Sequence, residues 1–282
     1  MPETVFRLAG VLRDATGRLA ASGNPDAERE ARWIWSGVSG GGTAASLLAA
    51  DQAADPDLVE QYEIAMARRT AGEPLAHVTG SASFRCLELR SDHRALIPRP
   101  ETEGLVDLAL TRVGTGRAAD LGTGTGCIAL SLALEGSFEL VVGTDVSSGA
   151  LALAGENRSL TGARVALIRS DLGAALAPGS FDLVVSNPPY LTQAEYRTLD
   201  GSVRDWEPSL ALAGGMDGLD VTRRLLNSGI SPLRPGGWLA LEVDCNRAGV
   251  VADIAAASGW QDVEVINDLF GRARYLVARR SG

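Results

Sequence analysis

The spacing of hydrophobic residues along the chain changes near residue 75. Before that point, apolar residues recur every three or four positions, which is the period of an amphipathic helix. In residues 4–23, five of them fall near one face: Val5, Leu8, Val11, Leu12 and Leu19. Residues 27–40 and 56–74 repeat this period, and no strand pattern interrupts them. The pattern predicts a small all-α domain over residues 1–74, which either docks a partner, covers a substrate or packs as a simple appendage.

The second of these predicted helices carries two tryptophans, Trp33 and Trp35. Their helical setting favours a place in the core for both. The sequence leaves open whether a third tryptophan, Trp206, touches a substrate.

After residue 75 the apolar runs shorten and their period changes. Residues 75–97 hold short β-type runs separated by Gly, Ser and Asp, which predicts a hairpin linker. In residues 98–282, strand-like runs alternate with helical stretches such as residues 219–233, and this alternation is typical of βαβ units with a mainly parallel sheet. Seven runs qualify as strands, within residues 116–126, 138–147, 164–172, 181–190, 236–244, 261–268 and 273–280. Only residues 268–272 separate the last two, so we expect the final strand to be antiparallel.

Residues 181–190, FDLVVSNPPY, end a predicted buried strand in an unusual way. Two consecutive prolines, Pro188 and Pro189, remove two backbone donors and fix φ at both positions. The residue before a proline also avoids the helical region. The strand therefore ends in a stiff, extended turn that fixes the amide of Asn187 and the ring of Tyr190. An ordinary loop is the alternative, since Asn and Pro are common turn residues.

A glycine-rich turn joins the first strand of the alternating region to a helix. Its residues are Gly122, Thr123, Gly124, Thr125 and Gly126. Glycine lets the backbone adopt conformations closed to other residues and lets a ligand approach closely. The spacing is G-x-G-x-G rather than the G-x-G-x-x-G of dinucleotide sites, and no lysine follows, which excludes a P-loop.

Acidic residues at the ends of successive strands indicate an adenosine-type cofactor. Asp145 ends the second strand of the alternating region, where a carboxylate can accept hydrogen bonds from both hydroxyls of a ribose. Asp171 ends the third strand and can accept a hydrogen bond from an adenine amino group. Each acid alone is more often a turn or cap residue. Together with the glycines, at the strand ends where open α/β sheets bind ligands, they favour the cofactor.

Asp120, directly before the glycine loop, distinguishes between two cofactors. A nicotinamide dinucleotide carries a pyrophosphate, which an acid at this position would repel. S-adenosylmethionine has no phosphate, and its sulfonium and amino group suit a carboxylate. We therefore expect S-adenosylmethionine as the cofactor and S-adenosylhomocysteine as the product.

The composition narrows the setting of the protein. The chain of 282 residues carries a formal net charge of −9, which argues against a protein that holds nucleic acid mainly by its phosphates. All 26 basic residues are arginine, which excludes a Schiff-base lysine. The three cysteines are far apart and form no CxxC pair, so we expect neither a disulfide framework nor a metal site. Because no run has the character of a membrane span or a signal peptide, we expect a cytoplasmic protein.

Several motifs together resemble a known group of enzymes. DLGTGTG, TDVS, SDL and SNPPY are similar to the motifs of class I methyltransferases that modify nitrogen. More narrowly, this chain resembles the HemK-like release-factor glutamine N5-methyltransferases in the order and spacing of five segments. These are HVTGSASFRCLEL, LIPRPETEGLVD, NPPY, ALAGGMDGLD and LRPGGWLALE. NPPY alone is not specific, because DNA adenine and rRNA guanine N-methyltransferases also use it, but its combination with PRPETE is. The resemblance covers nearly the whole chain.

The resemblance implies a fold and a cofactor site. The fold is α/β: a Rossmann-like class I methyltransferase domain, with a mainly parallel seven-stranded sheet whose last strand is antiparallel, joined to the small all-α N-terminal domain by the hairpin. S-adenosylmethionine is implied to bind the glycine loop, Asp145 and Asn187, while the segment with Arg99 and Glu101 borders its methionine end. Leu172 stands where the family usually has an aromatic residue, and it can still cover an adenine face.

The resemblance also implies how a substrate amide is held, in the turn that matches Asn187, Pro188, Pro189 and Tyr190. A primary amide nitrogen is a poor nucleophile because its lone pair is delocalised into the carbonyl. We expect the side-chain oxygen of Asn187 and the backbone carbonyl of Pro188 each to accept one N–H, with Tyr190 stacked on the amide. Catalysis then rests on near-attack positioning and preorganised dipoles.

Four hypotheses for the function follow. The first is methylation of the glutamine in a Gly-Gly-Gln loop of peptide chain release factors. The second keeps the chemistry on a small guanidine or amide such as free L-arginine, whose cation would need a carboxylate beside it. The candidate carboxylates are Glu101, Glu103, Asp205 and Glu207. A nucleic-acid amino-group methyltransferase and a non-catalytic S-adenosylmethionine-binding protein are the third and fourth. The sequence differs from the family at Asn246 and Arg247 and in residues 204–208.

Overall fold

The computed structural model describes residues 7–42, 51–227 and 231–282. The chain divides into two compact units. One comprises the chain up to Ser81 together with Gly201–Trp206, and the other comprises Ala82–Asp200 and Glu207–Gly282. Val5 and residues 228–230, which belong to predicted helices, lie outside the described residues. None of the described helices has the length and apolar character that crossing a membrane requires.

The first unit is helical, as the sequence pattern before residue 75 predicts, but Leu75–Thr79, predicted as part of the hairpin linker, is also a helix. Its helices are α1 (Leu8–Ala21), α2 (Ala27–Ser39), α3 (Pro56–Thr70) and α4 (Leu75–Thr79), with the short helical segment Gly201–Arg204. The described residues of the predicted apolar face of α1 are buried: Leu8, Val11, Leu12 and Leu19. α3 begins at a proline behind Asp55, whose carboxylate accepts the N–H of Asp57 at 2.9 Å and so caps the helix. Tyr62 of α3 is fully buried and donates a hydrogen bond to the carbonyl of Ala31 at 3.0 Å, which ties α3 to α2.

The expectation that both tryptophans of α2 lie in the core is wrong for one of them. Trp35 is buried and packs edge-on against Tyr62, with 5.3 Å between the ring centroids. Trp33 is 42% exposed, and its ring lies 4.9 Å from the guanidinium carbon of Arg29. Two residues along a helix correspond to a rotation of about 200°, so the two side chains cannot face the same core.

The second unit is built on a seven-stranded sheet. A two-stranded hairpin, β1 (Ser81–Phe84) and β2 (Leu87–Arg90), precedes it in the chain. The strands of the sheet are β3 (Thr115–Leu121), β4 (Ser137–Asp145), β5 (Val165–Arg169), β6 (Phe181–Ser186), β7 (Leu233–Glu242), β8 (Gln261–Asn267) and β9 (Ala273–Arg279). Its helices are α5 (Pro100–Arg112), α6 (Cys127–Glu135), α7 (Ser148–Thr161), α8 (Gln193–Arg197), α9 (Asp220–Asn227) and α10 (Ala248–Ala257), and Ser209–Ala211 is a 3₁₀ turn.

The order of the strands is β5-β4-β3-β6-β7-β9-β8. The strands from β3 to β7 pair in parallel, whereas β9 is antiparallel to both β7 and β8. This confirms the predicted fold class, including the antiparallel last strand.

Successive residues of the central strands pack on opposite faces of the sheet. In β6, Leu183 and Val185 belong to the core formed with α5 and α6, while Val184 belongs to the core formed with α9 and α10. All three side chains are fully buried. Because helices cover both faces, the central strands read in the sequence as nearly continuous apolar runs.

The order of the strands reverses at β3. The chain passes from β3 outward to β4 and β5, and then returns to β6 on the other side of β3. Asp120 of β3 lies opposite Val185 of β6. The glycine loop after β3 and the turn Asn187–Tyr190 after β6, called the NPPY turn below, therefore begin side by side. In open α/β sheets such a reversal opens a crevice at the carboxyl ends of the strands, where ligands bind.

Candidate active site

A cavity opens at the carboxyl edge of the sheet, between the loops that follow β3, β4, β5 and β6. Most of the predicted site residues line it: Arg99, Gly122, Thr123, Gly124, Thr125, Asp145, Asp171, Leu172, Asn187, Pro188 and Pro189. Four predicted residues are not part of its lining: Glu101, Asp120, Gly126 and Tyr190. The fold thus brings the glycine loop, the strand-end residues and the NPPY turn to one cavity.

The glycine loop forms one wall of the cavity with its backbone. The N–H groups of Gly122 and Thr123 both donate to the carbonyl of Thr144 at 2.8 Å, which ties the loop to the end of β4. Gly122 and Gly124 have φ angles of +78° and +56°, a region that favours glycine. A Cβ at Gly122 would meet nothing within 4 Å, so the wall has open space in front of its backbone here.

Asp145, at the end of β4, is half-buried and is oriented by two backbone groups. Its Oδ2 accepts the N–H of Gly124 at 3.0 Å, and its Oδ1 accepts the N–H of Ser147 at 2.9 Å. Each carboxylate oxygen can accept more than one hydrogen bond. The carboxylate of Asp145 is therefore fixed at the cavity and keeps acceptor capacity for hydroxyl donors.

Asp120 is fully buried, and its carboxylate accepts hydrogen bonds from groups of the protein itself. Oδ2 accepts the hydroxyl of Thr123 at 2.6 Å and the N–H of Ala129 at 3.2 Å, which fixes the glycine loop to α6. Oδ1 is buried without a hydrogen-bond partner among the described residues. Burial raises the pKa of Asp120 to about 7; the two hydrogen bonds oppose this shift, and the charge of Asp145 adds to it. The contact of Asp120 with a positive cofactor group stays a prediction.

Asp171 and Leu172 follow β5 at the cavity wall. Asp171 is exposed, and its Oδ2 lies 2.6 Å from Nη2 of Arg224, which also lines the cavity. Leu172 has a φ angle of +49°, in the left-handed region that leucine rarely adopts. Its carbonyl accepts the hydroxyl of Thr144 at 3.0 Å, and this hydrogen bond stabilises the unusual backbone.

A chain of hydrogen bonds runs from the NPPY turn into the protein. Nδ2 of Asn187 donates to Oγ1 of Thr102 at 3.0 Å, and the hydroxyl of Thr102 donates to Oε2 of Glu242 at 2.7 Å. Because the single hydroxyl proton of Thr102 goes to Glu242, Oγ1 can only accept from Asn187. The amide nitrogen of Asn187 therefore faces Thr102, and its carbonyl oxygen is the end left for a ligand.

Glu242, at the carboxyl end of β7, is 1% exposed and also accepts a hydrogen bond from the hydroxyl of Tyr190 at 3.3 Å. Burial raises the pKa of Glu242, while the hydroxyl of Thr102 and the charge of Arg274 oppose this shift. Burial also raises the pKa of Tyr190, so its hydroxyl keeps its proton and remains a donor. One buried carboxyl group thus positions both side chains of the turn, Tyr190 directly and Asn187 through Thr102.

Comparison with known proteins identifies the family. The family model described as Methyltransferase small domain matches residues 102–203, and the PrmC N-terminal domain matches residues 10–80. The release factor glutamine methyltransferase of Deinococcus radiodurans is 43% identical to this chain, over 98% of this chain and 100% of its own length. The chain belongs to the release factor glutamine methyltransferase family. A further member of this family, from Cereibacter sphaeroides, is 40% identical over 97% of this chain and 99% of its own length.

These matches confirm the family resemblance found in the motifs. Among solved structures, a methyltransferase from Pyrococcus furiosus superposes with a TM-score of 0.53 at 20% identity, covering 70% of this chain and 90% of its own. That likeness concerns the fold alone, and it agrees with the seven-stranded sheet described above.

In this member of the release factor glutamine methyltransferase family, the motif ALAGGMDGLD, residues 211–220, packs against the NPPY turn. A Cβ at Gly214 would lie 2.6 Å from the carbonyl oxygen of Pro189, and a Cβ at Gly218 would overlap the carbonyl oxygen of Tyr190. The N–H of Gly214 donates to the carbonyl of Leu191 at 2.8 Å. The two glycines therefore allow a close backbone contact that fixes the turn from outside.

Glu207 binds two residues of the cavity wall that precede α5. Its side chain is 1% exposed; Oε1 accepts Nη2 of Arg99 at 2.6 Å, and Oε2 accepts the N–H of Ile97 at 3.0 Å. Arg99 and Ile97 both line the cavity, as does Pro208, the neighbour of Glu207. The carboxylate of Glu207 thus fixes the start of the PRPETE segment, residues 98–103, at the cavity wall.

The other three acids proposed for a guanidinium substrate also bind groups of the chain. The pairs are Glu101 with Arg272 (3.4 Å), Glu103 with the N–H of Arg85 (2.9 Å) and Asp205 with Arg204 (2.8 Å). All four candidate acids are therefore engaged by the chain's own arginines or backbone. Together with the family membership, this does not favour a small guanidine as the substrate.

Of the two positions after β7 that differ from the family's usual pattern, Arg247 has a structural role. Nη2 of Arg247 lies 2.6 Å from Oε1 of Glu195, and Nη1 lies 2.9 Å from Asp244. Glu195 forms a reciprocal capping box with Thr192 at the start of α8, and the guanidinium of Arg247 lowers the pKa of Glu195. Arg247 therefore ties the loop after β7 to the segment that follows the NPPY turn, whereas Asn246 is exposed.

The roles of Thr102 and Glu242 were not predicted from the sequence. For Glu242 a signal exists, because an acid at the carboxyl end of an apolar strand occupies the same kind of position as Asp145. Thr102 lies in the PRPETE segment that the family resemblance singles out, but its residue type gives no signal of its own role, since a threonine in the first turn of a helix is commonplace. Its importance arises only from the groups on either side of it.

Proposed function

We propose that this chain is an S-adenosylmethionine-dependent N-methyltransferase that methylates the side-chain amide of the glutamine in a Gly-Gly-Gln loop of peptide chain release factors. The observation that carries the proposal is the orientation of Asn187, whose nitrogen is bound to Thr102 so that its oxygen is left as an acceptor. A substrate amide offers two N–H donors and needs acceptors of this kind. The relatives from Deinococcus radiodurans and Cereibacter sphaeroides, which match over nearly the full length, bear the name of this activity.

The residues of the cavity fit the proposed cofactor. The open space in front of the backbone at Gly122 admits a ligand that a side chain would displace. Asp145 keeps acceptor capacity for ribose hydroxyls, and Leu172 offers an apolar surface to an adenine ring. S-adenosylmethionine, when bound, supplies an electrophilic methyl group on a sulfonium and leaves as S-adenosylhomocysteine. Gly122, Gly124, Asp145 and Leu172 are the residues that would hold it.

The NPPY turn supplies the chemistry that the amide itself lacks. Oδ1 of Asn187 and the backbone carbonyl of Pro188 would each accept one N–H of the substrate amide, which fixes the nitrogen so that its lone pair can turn towards the methyl group. Pro188 is buried, and its ring limits the directions in which its backbone can turn. No strong base is required before the transfer, because positioning and fixed dipoles lower the barrier. The bound amide nitrogen would gain the methyl group that the cofactor supplies and would give up one of its two protons, so the residues of the turn have only to hold the amide in position.

Tyr190 completes the proposed amide pocket. Its hydroxyl is bound to Glu242 at 3.3 Å, so the ring cannot rotate away freely. A fixed aromatic ring can stack on the flat amide of the substrate and exclude water from it. The helical domain over residues 1–74 is proposed to recognise the protein substrate, the linker over residues 75–97, which holds the β1–β2 hairpin, to join it to the rest of the chain, and residues 98–282 to form the catalytic domain. Since release factors act on ribosomes, the proposal also places the enzyme in the cytoplasm.

A labelled-methyl transfer assay tests the proposal. Purified enzyme and labelled S-adenosylmethionine are incubated with a peptide chain release factor, with free L-arginine and with free L-glutamine. We expect label on the release factor, located at its glutamine by mass spectrometry and abolished by Asn187→Ala. Unchanged thermal unfolding of the same variant controls for an intact fold. Label on arginine alone, or on no substrate at all, overturns the proposal.

A further inference from the structure

The three most exposed large apolar side chains that the structure describes lie in two loops of the second unit. Leu269 is 102% exposed, Phe270 is 79% exposed and Met216 is 78% exposed. Leu210, 59% exposed, is itself part of the cavity wall. These four side chains are called the apolar rim below. Scattered apolar residues on a surface need no explanation, but a group at one site marks an interaction surface.

The register of the strands places the tip of the β8–β9 hairpin at the same edge as the cavity. Glu242, the carboxyl end of β7, is paired with Tyr275 of β9, and Ala273 of β9 is paired with Asn267 of β8. Residues 268–272 therefore project beyond the carboxyl end of β7, on the edge where the NPPY turn lies. The tip is also bonded to a residue beside the cavity wall: Arg272 pairs with Glu101 at 3.4 Å, and Glu101 stands in the chain between Arg99 and Thr102, which line the cavity.

The tip is held in one conformation that presents its two apolar side chains. The carboxylate of Asp268, 3% exposed, accepts the N–H groups of Phe270 at 2.9 Å and Arg272 at 3.0 Å. The N–H of Asp268 donates to the carbonyl of Arg272 at 2.8 Å, and Gly271 takes the φ angle of +78° that closes the turn. A surface that is already ordered loses little conformational entropy when a partner binds.

A second loop, which contacts the NPPY turn, carries Met216. It lies in the loop whose neighbours Gly214 and Gly218 make the close backbone contacts to Pro189 and Tyr190. Asp217 pairs with Arg223 at 2.5 Å and accepts the N–H of Leu219 at 3.1 Å, which stabilises this loop next to Met216. Exposed apolar side chains thus flank the site on two independently fixed loops.

We propose that the apolar rim is the docking surface for the protein that carries the substrate glutamine, contacting the residues that flank that glutamine. The proposal rests on the proposed function, and it adds the surface by which a protein is bound rather than a free amide. The rim lies at the edge of the sheet where the glutamine must enter, and one of its members, Leu210, lines the cavity itself, whereas a second copy of the chain seated there would cover the entrance. A free amino acid fills the amide pocket but cannot reach the rim.

The test compares three variants with the wild-type enzyme: the double variant Leu269→Ser/Phe270→Ser, the variant Met216→Ser and the control Leu160→Ser. Leu160 is 59% exposed at the end of α7, on the opposite edge of the sheet. We expect KM for the intact release factor, and Kd in a direct binding measurement, to rise about tenfold in the double variant, with kcat within about twofold, as for removal of interface anchors. Met216→Ser should shift both in the same direction, and Leu160→Ser should change neither.

The outcomes separate this inference from the proposed function. If the wild-type enzyme does not methylate the release factor, the proposed function fails first. If it does, and the double variant and Met216→Ser match Leu160→Ser in KM and Kd, the docking surface is refuted. If the wild-type chain is a dimer that the double variant converts to a monomer without a change in Kd, the rim belongs to a second copy and the proposal is wrong. Unchanged thermal unfolding and affinity for S-adenosylhomocysteine show that the variants are intact.

Discussion

The hydroxyl of Thr102 donates a 2.7 Å hydrogen bond to the carboxylate of Glu242, although 140 residues separate the two. Both side chains are buried, 2% and 1% exposed. The bond matters because it consumes the only proton of Thr102 and leaves Oγ1 as an acceptor for Asn187. The amide of Asn187 is thereby held in one of its two orientations. A residue that touches no substrate atom in the proposed mechanism thus decides which end of Asn187 faces the substrate.

Replacing Thr102 by valine removes the hydroxyl at nearly constant volume. Without it, Asn187 loses its fixed partner and Glu242 loses a donor, so we expect kcat to fall roughly tenfold to a hundredfold. The free energy of unfolding should fall by about 1–3 kcal/mol because a buried acceptor is left unsatisfied. Single-turnover methylation of the release factor and urea denaturation measure the two effects. Thr102→Ser keeps the hydroxyl and should recover most of the activity; equal losses in both variants would contradict the role of the hydrogen bond.

Replacing Glu207 by glutamine tests the wall formed by Arg99 and Ile97. A glutamine can accept from only one of these two donors, and its own N–H₂ then faces the other. Because Glu207 is buried and Arg99 is 32% exposed, we expect a loss of about 1–3 kcal/mol in unfolding free energy. The affinity for S-adenosylhomocysteine should fall severalfold, as measured by calorimetry. Glu139→Gln, at an exposed position of β4, is the control and should alter neither quantity.

Replacing Gly218 by alanine tests the close contact with the NPPY turn. Gly162 provides the matched control, because it has a similar φ angle, +71° against +78°, but a Cβ at this position would meet nothing within 4 Å. Both variants carry the backbone strain of about 1 kcal/mol, and only Gly218→Ala also presses on the carbonyl of Tyr190. We expect Gly218→Ala to lose at least tenfold in kcat and more stability than Gly162→Ala. Equal kcat values in the two variants would show that the contact does not position the turn.

Asp120→Asn should change how stability depends on pH. Burial raises the pKa of Asp120 from 3.8 to about 7, so the folded protein holds this proton more tightly than the unfolded chain. The corresponding stability is present below about pH 4 and is lost as pH rises through about 7. An asparagine does not ionise, so the unfolding free energy of the variant relative to wild type should rise by about 1–3 kcal/mol from about pH 5 to about pH 8. Urea denaturation without cofactor measures it, and a difference that is constant with pH would contradict the raised pKa.

Sequence alone determined the parts of this protein that depend on neighbours in the chain. The helical period before residue 75, the alternation of strands and helices after it, and the glycine loop all follow from local spacing, and the structure confirms the fold that they predict. The acid at the end of β4 and the two prolines after β6 were found for the same reason. Trp33 was wrongly predicted to lie in the core, because the prediction took no account of the rotation of about 200° between Trp33 and Trp35 along the helix.

Tertiary structure decided the groups that act on those residues from a distance in the chain. Thr102 and Glu242 meet only because α5 packs beside the carboxyl end of β7, and Glu207 reaches Arg99 across 108 positions. A buried carboxylate can accept a hydrogen bond from a threonine, a tyrosine or an arginine. Which of these donors it meets depends on contacts between residues far apart in the chain, and the periodic pattern of the sequence does not contain that information. The local pattern therefore determines which strands and turns form, while the direction in which Asn187 points depends on a hydrogen-bond network that exists only after the chain has folded.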